Sequence, residues 1–179
     1  MDSSEACDRR AWVLALLDEH EAPLTRFARR LTGDDHAAAD VVQHALLRLC
    51  EQSPGEIAGR EAQWLFTVCR NRATDLLRRR GRQEPLGDQE AALPEPRPSD
   101  PAELTERDEL FERLAALVDG LPLSQREVLL LWLEGFRNPQ IAEMTDRSEG
   151  NVRVLVHRAI QQLRNHREVR ELIEEQRTT

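Results

Sequence analysis

The side chains with the most chemistry in this 179-residue chain are arginines, and two groups of them stand out. Arg70, Arg78, Arg79 and Arg80 fall in one stretch, closed by Arg82, and Arg153 and Arg158 in another. A guanidinium keeps its charge at any physiological pH and forks towards phosphate oxygens or a guanine edge. Such groups suit holding a polyanion, not moving protons. The run at residues 78–80 also suits a helix C-terminus through the macrodipole. Asn71 and Asn151 stand among the arginines, and an amide that both donates and accepts can read a base. Catalytic chemistry finds little support. His36 and His44 are more readily surface residues than a metal pair, and Cys50 completes no known ligand spacing. There is no phosphate loop, no G-x-S-x-G and no H-E-x-x-H. Cys7, Cys50 and Cys69 form no C-x-x-C pair and read as reduced thiols. The expectation is a non-enzymatic chain without metal, cofactor or small-molecule substrate.

The elements that must position these groups read as helices. Aromatic residues are few, with three Trp, four Phe and no Tyr, a mixture that favours an all-α fold over a sandwich or barrel. An amphipathic stretch runs from Trp12 to about Leu31, with an interruption expected at Pro23 and an end at Gly33. Asp34 or Asp35 caps a second helix reaching about Cys50. Ala38, Val41, Val42, Ala45 and Leu49 mark its inner face, and Asp40, Gln43, His44 and Leu47 a neighbouring one. After a loop holding Pro54, Gly55 and Gly59, another helix covers about residues 61–80. Leu65, Val68, Cys69 and Leu76 face inward, and Thr67, Arg70, Asn71, Thr74 and Arg78 outward. Trp64 and Phe66 could stack on bases, but at this spacing one or both belong to the core.

The second half starts at Asp100-Pro101, an N-cap followed by proline at the first helical position. Leu110, Phe111, Leu114, Leu117 and Val118 form the stripe of that helix, which Gly120 ends. Ser124 and Glu127 have the spacing of a capping box opening an apolar helix that Gly135 closes. Asn138-Pro139 begins a short helix through Ile141, Ala142 and Met144. After Thr145-Asp146-Arg147, Ser148 caps a longer helix with Val152, Val156, Ala159 and Leu163 inside. A short helix, a tight turn and a longer basic helix make a helix-turn-helix. The expected architecture is therefore two small helical domains, 1–82 and 105–167, joined by an acidic Pro-rich linker at 83–104 and followed by a charged tail at 168–179.

The net charge of −8 hides a strong asymmetry. Residues 64–82 hold six Arg and one Asp, residues 83–112 ten acids and two Arg, and residues 137–167 six Arg and three acids. Two basic blocks flanking an acidic connector are compatible with nucleic acid despite the overall acidity. The polar, acidic N-terminus is unlike a signal peptide, and the longest strongly apolar run, residues 128–133, is too short for a membrane span. A cytoplasmic protein with no membrane partner is expected.

Three ordered motifs carry a family resemblance. Asp40-Val41-Val42-Gln43 with Leu46-Leu47-Arg48-Leu49 resembles the polymerase-binding helix of sigma-70-type factors. Trp64-Leu65-Phe66-Thr67-Val68-Cys69-Arg70-Asn71 and Asp75-Leu76-Leu77-Arg78-Arg79-Arg80 resemble the helix that engages the −10 promoter element. Leu121-Pro122, Arg126-Glu127-Val128, Gln140-Ile141-Ala142-Glu143, Gly150-Asn151-Val152-Arg153 and His157-Arg158-Ala159 resemble the −35-reading domain. With no room for a further promoter-contacting domain, the chain is similar to the small extracytoplasmic-function (ECF) group. The resemblance implies that Asp40, Gln43 and Leu47 bind core RNA polymerase at the clamp helices of its largest subunit. It implies that Asn71, Arg70, Arg78, Arg79 and Arg80 meet −10 DNA, and that Asn151, Arg153, Val154, His157 and Arg158 meet −35 DNA. The polymerase flap, promoter DNA and an anti-sigma factor complete the implied partners. The sequence departs from the family pattern at the turn, where Asp146 replaces Gly and Arg147 an apolar residue. It departs again in the last helix, where Val154 and Leu155 replace Ser and Arg. Two alternatives stand beside this reading: a stand-alone helix-turn-helix regulator, and a degenerate sigma-like module that binds a protein partner.

Overall fold

The computed structural model describes residues 3–83, 106–166 and 169. The linker, the start at Asp100-Pro101, the side chains of Arg82, Leu110 and Phe111, and nearly all of the tail lie outside the described residues. Eight α-helices and no strand occur among those described: α1 (Ser3–Thr32), α2 (Asp35–Glu51), α3 (Pro54–Ile57), α4 (Glu61–Gln83), α5 (Glu106–Asp119), α6 (Leu123–Leu133), α7 (Asn138–Thr145) and α8 (Glu149–Asn165).

Helices α1, α2 and α4 pack on one another to form the first domain, and α6, α7 and α8 form the body of the second. The interruption expected at Pro23 does not occur, and α1 runs straight through it. Proline removes one backbone hydrogen bond, but Leu16 on one side and Leu24, Phe27 and Leu31 on the other are all buried. That burial holds the helix together across the defect. Gly33 then takes the left-handed conformation, φ +67°, that ends α1. Asp34 caps α2 by accepting from the Ala37 N–H at 2.8 Å. All five residues assigned to the inner face of α2 are buried, as are Leu65 and Cys69 of α4. Thr74, placed on the outer face by its polarity, is buried too. Its hydroxyl donates to the Arg70 carbonyl at 2.8 Å, which satisfies it inside the helix.

A second correction concerns α6. The capping box expected from Ser124 and Glu127 is not formed: α6 begins at Leu123, with Pro122 in the cap position and no side-chain cap. The Pro122 carbonyl accepts from the Gln125 and Arg126 N–H groups instead. Glu127 is thereby left for another task, described below. Proline opens α7 as expected, and the Gln140 side chain accepts from the Arg137 N–H at 2.9 Å.

The two domains touch through a continuous core. Phe66 of α4 sits between Phe27 of α1 and Phe136 of the second domain. Its ring centroid lies 5.3 Å from the first and 5.2 Å from the second, both edge-to-face. The Phe66 reading resolves in favour of the core, while Trp64 is half-buried.

Candidate nucleic-acid interface

On α2 the buried positions fix which face is left over. Val41, Val42, Ala45 and Leu49 point inward, so Asp40, Gln43 and Leu47 are exposed. Leu47 is 59% exposed, as much as Leu133 of α6 and slightly more than Leu14 of α1. Gln43 and Leu47 line a groove of about 530 Å³ between α1 and α2, with Leu46, Val42, Thr25 and Arg29 among its other walls. Asp40 stands outside that lining. The α1 wall of the groove was missed by the sequence reading, because only the fold brings Thr25 and Arg29 beside α2.

On α4 the outward side chains include Asn71, Arg78, Arg79 and Arg80. Arg80 lies 3.7 Å from Asp34 and Arg78 4.0 Å from Asp75. Both are half or more exposed, so these pairs are weak. Arg70 behaves differently. Its Nε donates to Glu127 of α6 at 2.9 Å, and its Nη1 donates to the Asn71 side-chain oxygen at 3.1 Å. Arg147, from the turn between α7 and α8, pairs with the other oxygen of the same carboxylate. Glu127 is 3% exposed, Arg70 14% and Arg147 20%. One buried carboxylate therefore bridges two guanidiniums, one from each domain, and Arg70 faces the second domain in this conformation.

Further bonds line the same boundary. Arg30 Nη1 donates to Asp119 at 3.0 Å, and Arg126 donates to the Arg30 carbonyl at 3.3 Å. Gln63 donates to Glu143 at 2.8 Å. Burial holds the Arg126 pKa below its ordinary value, partly opposed by the charge of Asp119.

The helix-turn-helix is built as its caps require. Asp146 adopts φ 53°, ψ 49°, the left-handed conformation in which glycine is the easier residue and Asp is tolerated. Ser148 caps α8, accepting from the Asn151 N–H at 3.3 Å. Val152, Val156 and Ala159 are buried against the preceding helices. That leaves Asn151, Arg153, Val154, His157 and Arg158 all exposed on one side of α8. Among the described residues no group of three His, Cys, Asp or Glu side chains could hold a metal ion. Nor is any described helix long and apolar enough to cross a membrane.

A two-domain helical protein with a capped helix-turn-helix and exposed arginine and amide side chains is built as a DNA-binding transcription factor. Comparison with known proteins narrows the class. Residues 16–83 match sigma-70 region 2 and residues 111–163 match sigma-70 region 4. The ECF RNA polymerase sigma factor SigL of Mycobacterium tuberculosis is 34% identical over 167 residues, covering 90% of this chain and 92% of the relative. The ECF RNA polymerase sigma factor SigE of Mycolicibacterium smegmatis is 30% identical over 154 residues, covering 84% of this chain and 60% of that one. In fold, the chain is similar to the sigma factor RpoE of Bartonella quintana, solved in complex with the anti-sigma factor NepR. The TM-score is 0.63 at 24% identity, covering 88% of this chain and 94% of that one. The chain belongs to the ECF sigma factors of the sigma-70 family, and it directs transcription initiation.

Proposed function

We propose that the three exposed faces divide the work of initiation. Asp40, Gln43 and Leu47 on α2 dock on the clamp helices of the polymerase largest subunit. Asn71 and the arginines at 78–80 meet the −10 strand, joined by Arg70 when it is released from Glu127. The outer face of α8 enters the −35 major groove, and the second domain also contacts the polymerase flap. On this reading the segment 1–82 serves core and −10 DNA, and 105–167 serves −35 DNA. The protein works in the cytoplasm and has no catalysis of its own. An anti-sigma factor would compete for the α2 face.

The observation that carries the proposal is Leu47, a large apolar side chain held out at the mouth of a groove beside Gln43. A solvated helix face gains nothing from that placement, whereas an interface core does. Run-off transcription with purified core polymerase tests the whole reading. The double variant Asp40→Ala, Gln43→Ala is expected to weaken core binding about tenfold, in the range of interface residues that matter. Unchanged core affinity would remove α2 from the interface. Promoter binding without any core polymerase would favour a stand-alone regulator.

A further inference from the structure

The outer face of α8 has an internal order that its list of exposed residues conceals. At about 100° per residue, Gly150, Val154, His157 and Gln161 form one stripe along the helix. Arg153 lies to one side of that stripe and Arg158 to the other. All six are exposed. The stripe is uncharged at its first two positions, while the charges stand on its flanks. A helix seated in a major groove has this requirement. Its midline meets base edges, and its sides meet the phosphates of the two strands.

Two residues on the midline are unexplained by the fold. Val154 is 46% exposed and is the one exposed large apolar side chain of α7 and α8. A β-branched residue is a poor helix former on a surface where packing does not decide the choice. Gly150 lies in the first turn of α8, where glycine is also a poor helix former. Its backbone does not have positive φ, and a Cβ added there would meet nothing within 4 Å. Neither internal packing nor backbone geometry demands a glycine. Packing within the chain accounts for neither choice, and both suit a close approach by something outside it.

We propose that Val154 reads a thymine of the −35 element by covering its C5-methyl group, and that Gly150 lets the first turn of α8 settle deep enough for that contact. This rests on the assignment of α8 to −35 DNA made above and sharpens it to one base. The major groove offers a single apolar feature, the thymine methyl. Valine carries no donor or acceptor. Pressed against any other base edge, it would leave that edge's polar groups dry and unpaired. Arg153 and Arg158 supply the charge complementarity that brings this face of α8 into the groove.

The test uses holoenzyme reconstituted from the full chain and core polymerase, on a promoter duplex recovered from genomic fragments by that holoenzyme. Thymines in its −35 half are replaced one at a time by deoxyuridine, which deletes only the methyl group. The wild type is expected to lose about fourfold in equilibrium affinity at one position, the worth of one buried methyl. Val154→Ala should show a comparable loss on the parent duplex and no further loss on the deoxyuridine duplex, as a double-mutant cycle requires for a direct contact. Gly150→Ala should melt no lower than the wild type yet bind the parent duplex about fourfold more weakly, because the methyl contact is lost. The inference is overturned if no deoxyuridine substitution affects the wild type, or if the penalty persists undiminished in Val154→Ala. Unchanged affinity in Gly150→Ala would likewise show that the first turn stands clear of the groove. Arg153→Ala separates the two levels. If it weakens promoter binding while the thymine methyl has no effect, only the inference about Val154 falls. If it has no effect either, the assignment of α8 to DNA falls with it.

Discussion

Arg147 occupies a turn position where the family pattern has an apolar residue, and the structure supplies its partner. The side chain turns inward to the Glu127 carboxylate, so a charge replaces an apolar plug without being left unpaired. Cys69 illustrates the opposite case, a potential charge with no partner. It is fully buried, and burial alone pushes its thiol up from 9.0 to about 12. The thiolate is disfavoured only in the folded chain. Stability from this group is therefore complete below about pH 9 and is lost as pH rises towards 12. Unfolding free energies from urea titrations are expected to fall with a slope of up to ~1.4 kcal/mol per pH unit in that window. Cys69→Ala should flatten the slope, at the cost of a small cavity. An equal slope in the variant would assign the alkaline loss to other groups.

At the scale of elements, most of what could be read from the chain followed local rules. The inner faces of α2 and α8 came from periodicity and the Ser148 cap from local capping rules, while Asp146 takes the left-handed conformation at the turn position that the family pattern gives to glycine. What failed did so because the deciding partner was distant in sequence. Glu127 has the spacing of a capping residue, yet its bond is to Arg70, 57 positions away. Pro23 should break a helix by local rules, but buried neighbours on both sides override it. The groove on α2 has one wall on α1, so half of that candidate site was invisible from its own segment. Two expectations belong to single elements. Ser148→Ala removes the α8 cap and should lower unfolding stability by about 1 kcal/mol, measured by thermal denaturation; a change near zero would mean that solvent caps the helix equally well. Replacing Arg78, Arg79 and Arg80 together by Ala should reduce the slope of log affinity against log salt for −10 single strands by about 2. A steady slope would leave those arginines as a basic helix end and nothing more.

At the scale of the molecule, the question is what holds the two domains against each other. The aromatic contact among Phe27, Phe66 and Phe136 supplies apolar burial, which is indifferent to small shifts. The carboxylate of Glu127 is not indifferent, since each of its oxygens is committed to a guanidinium from a different part of the chain. Replacing buried charges by apolar groups can be harmless, but removing one member of a buried set strands the others. Glu127→Ala would leave Arg70 and Arg147 facing each other with no counter-charge. The expected loss is about 3–5 kcal/mol for such a stranded pair, and it should fall on the contact between domains more than on either core. Urea unfolding followed by Trp fluorescence should then resolve two transitions in place of one cooperative step. Glu127→Gln, which keeps the shape and part of the hydrogen bonding, should fall between the variant and the wild type. A single transition at the wild-type midpoint in Glu127→Ala would show that the aromatic contact alone holds the domains together. In that case the release of Arg70 towards DNA would require separating apolar surfaces, and salt would have little influence on it. If the bridge dominates, rising salt should favour release only weakly as well, because the pair is buried and poorly screened. The variant, and not the salt dependence, is therefore the measurement that separates the two.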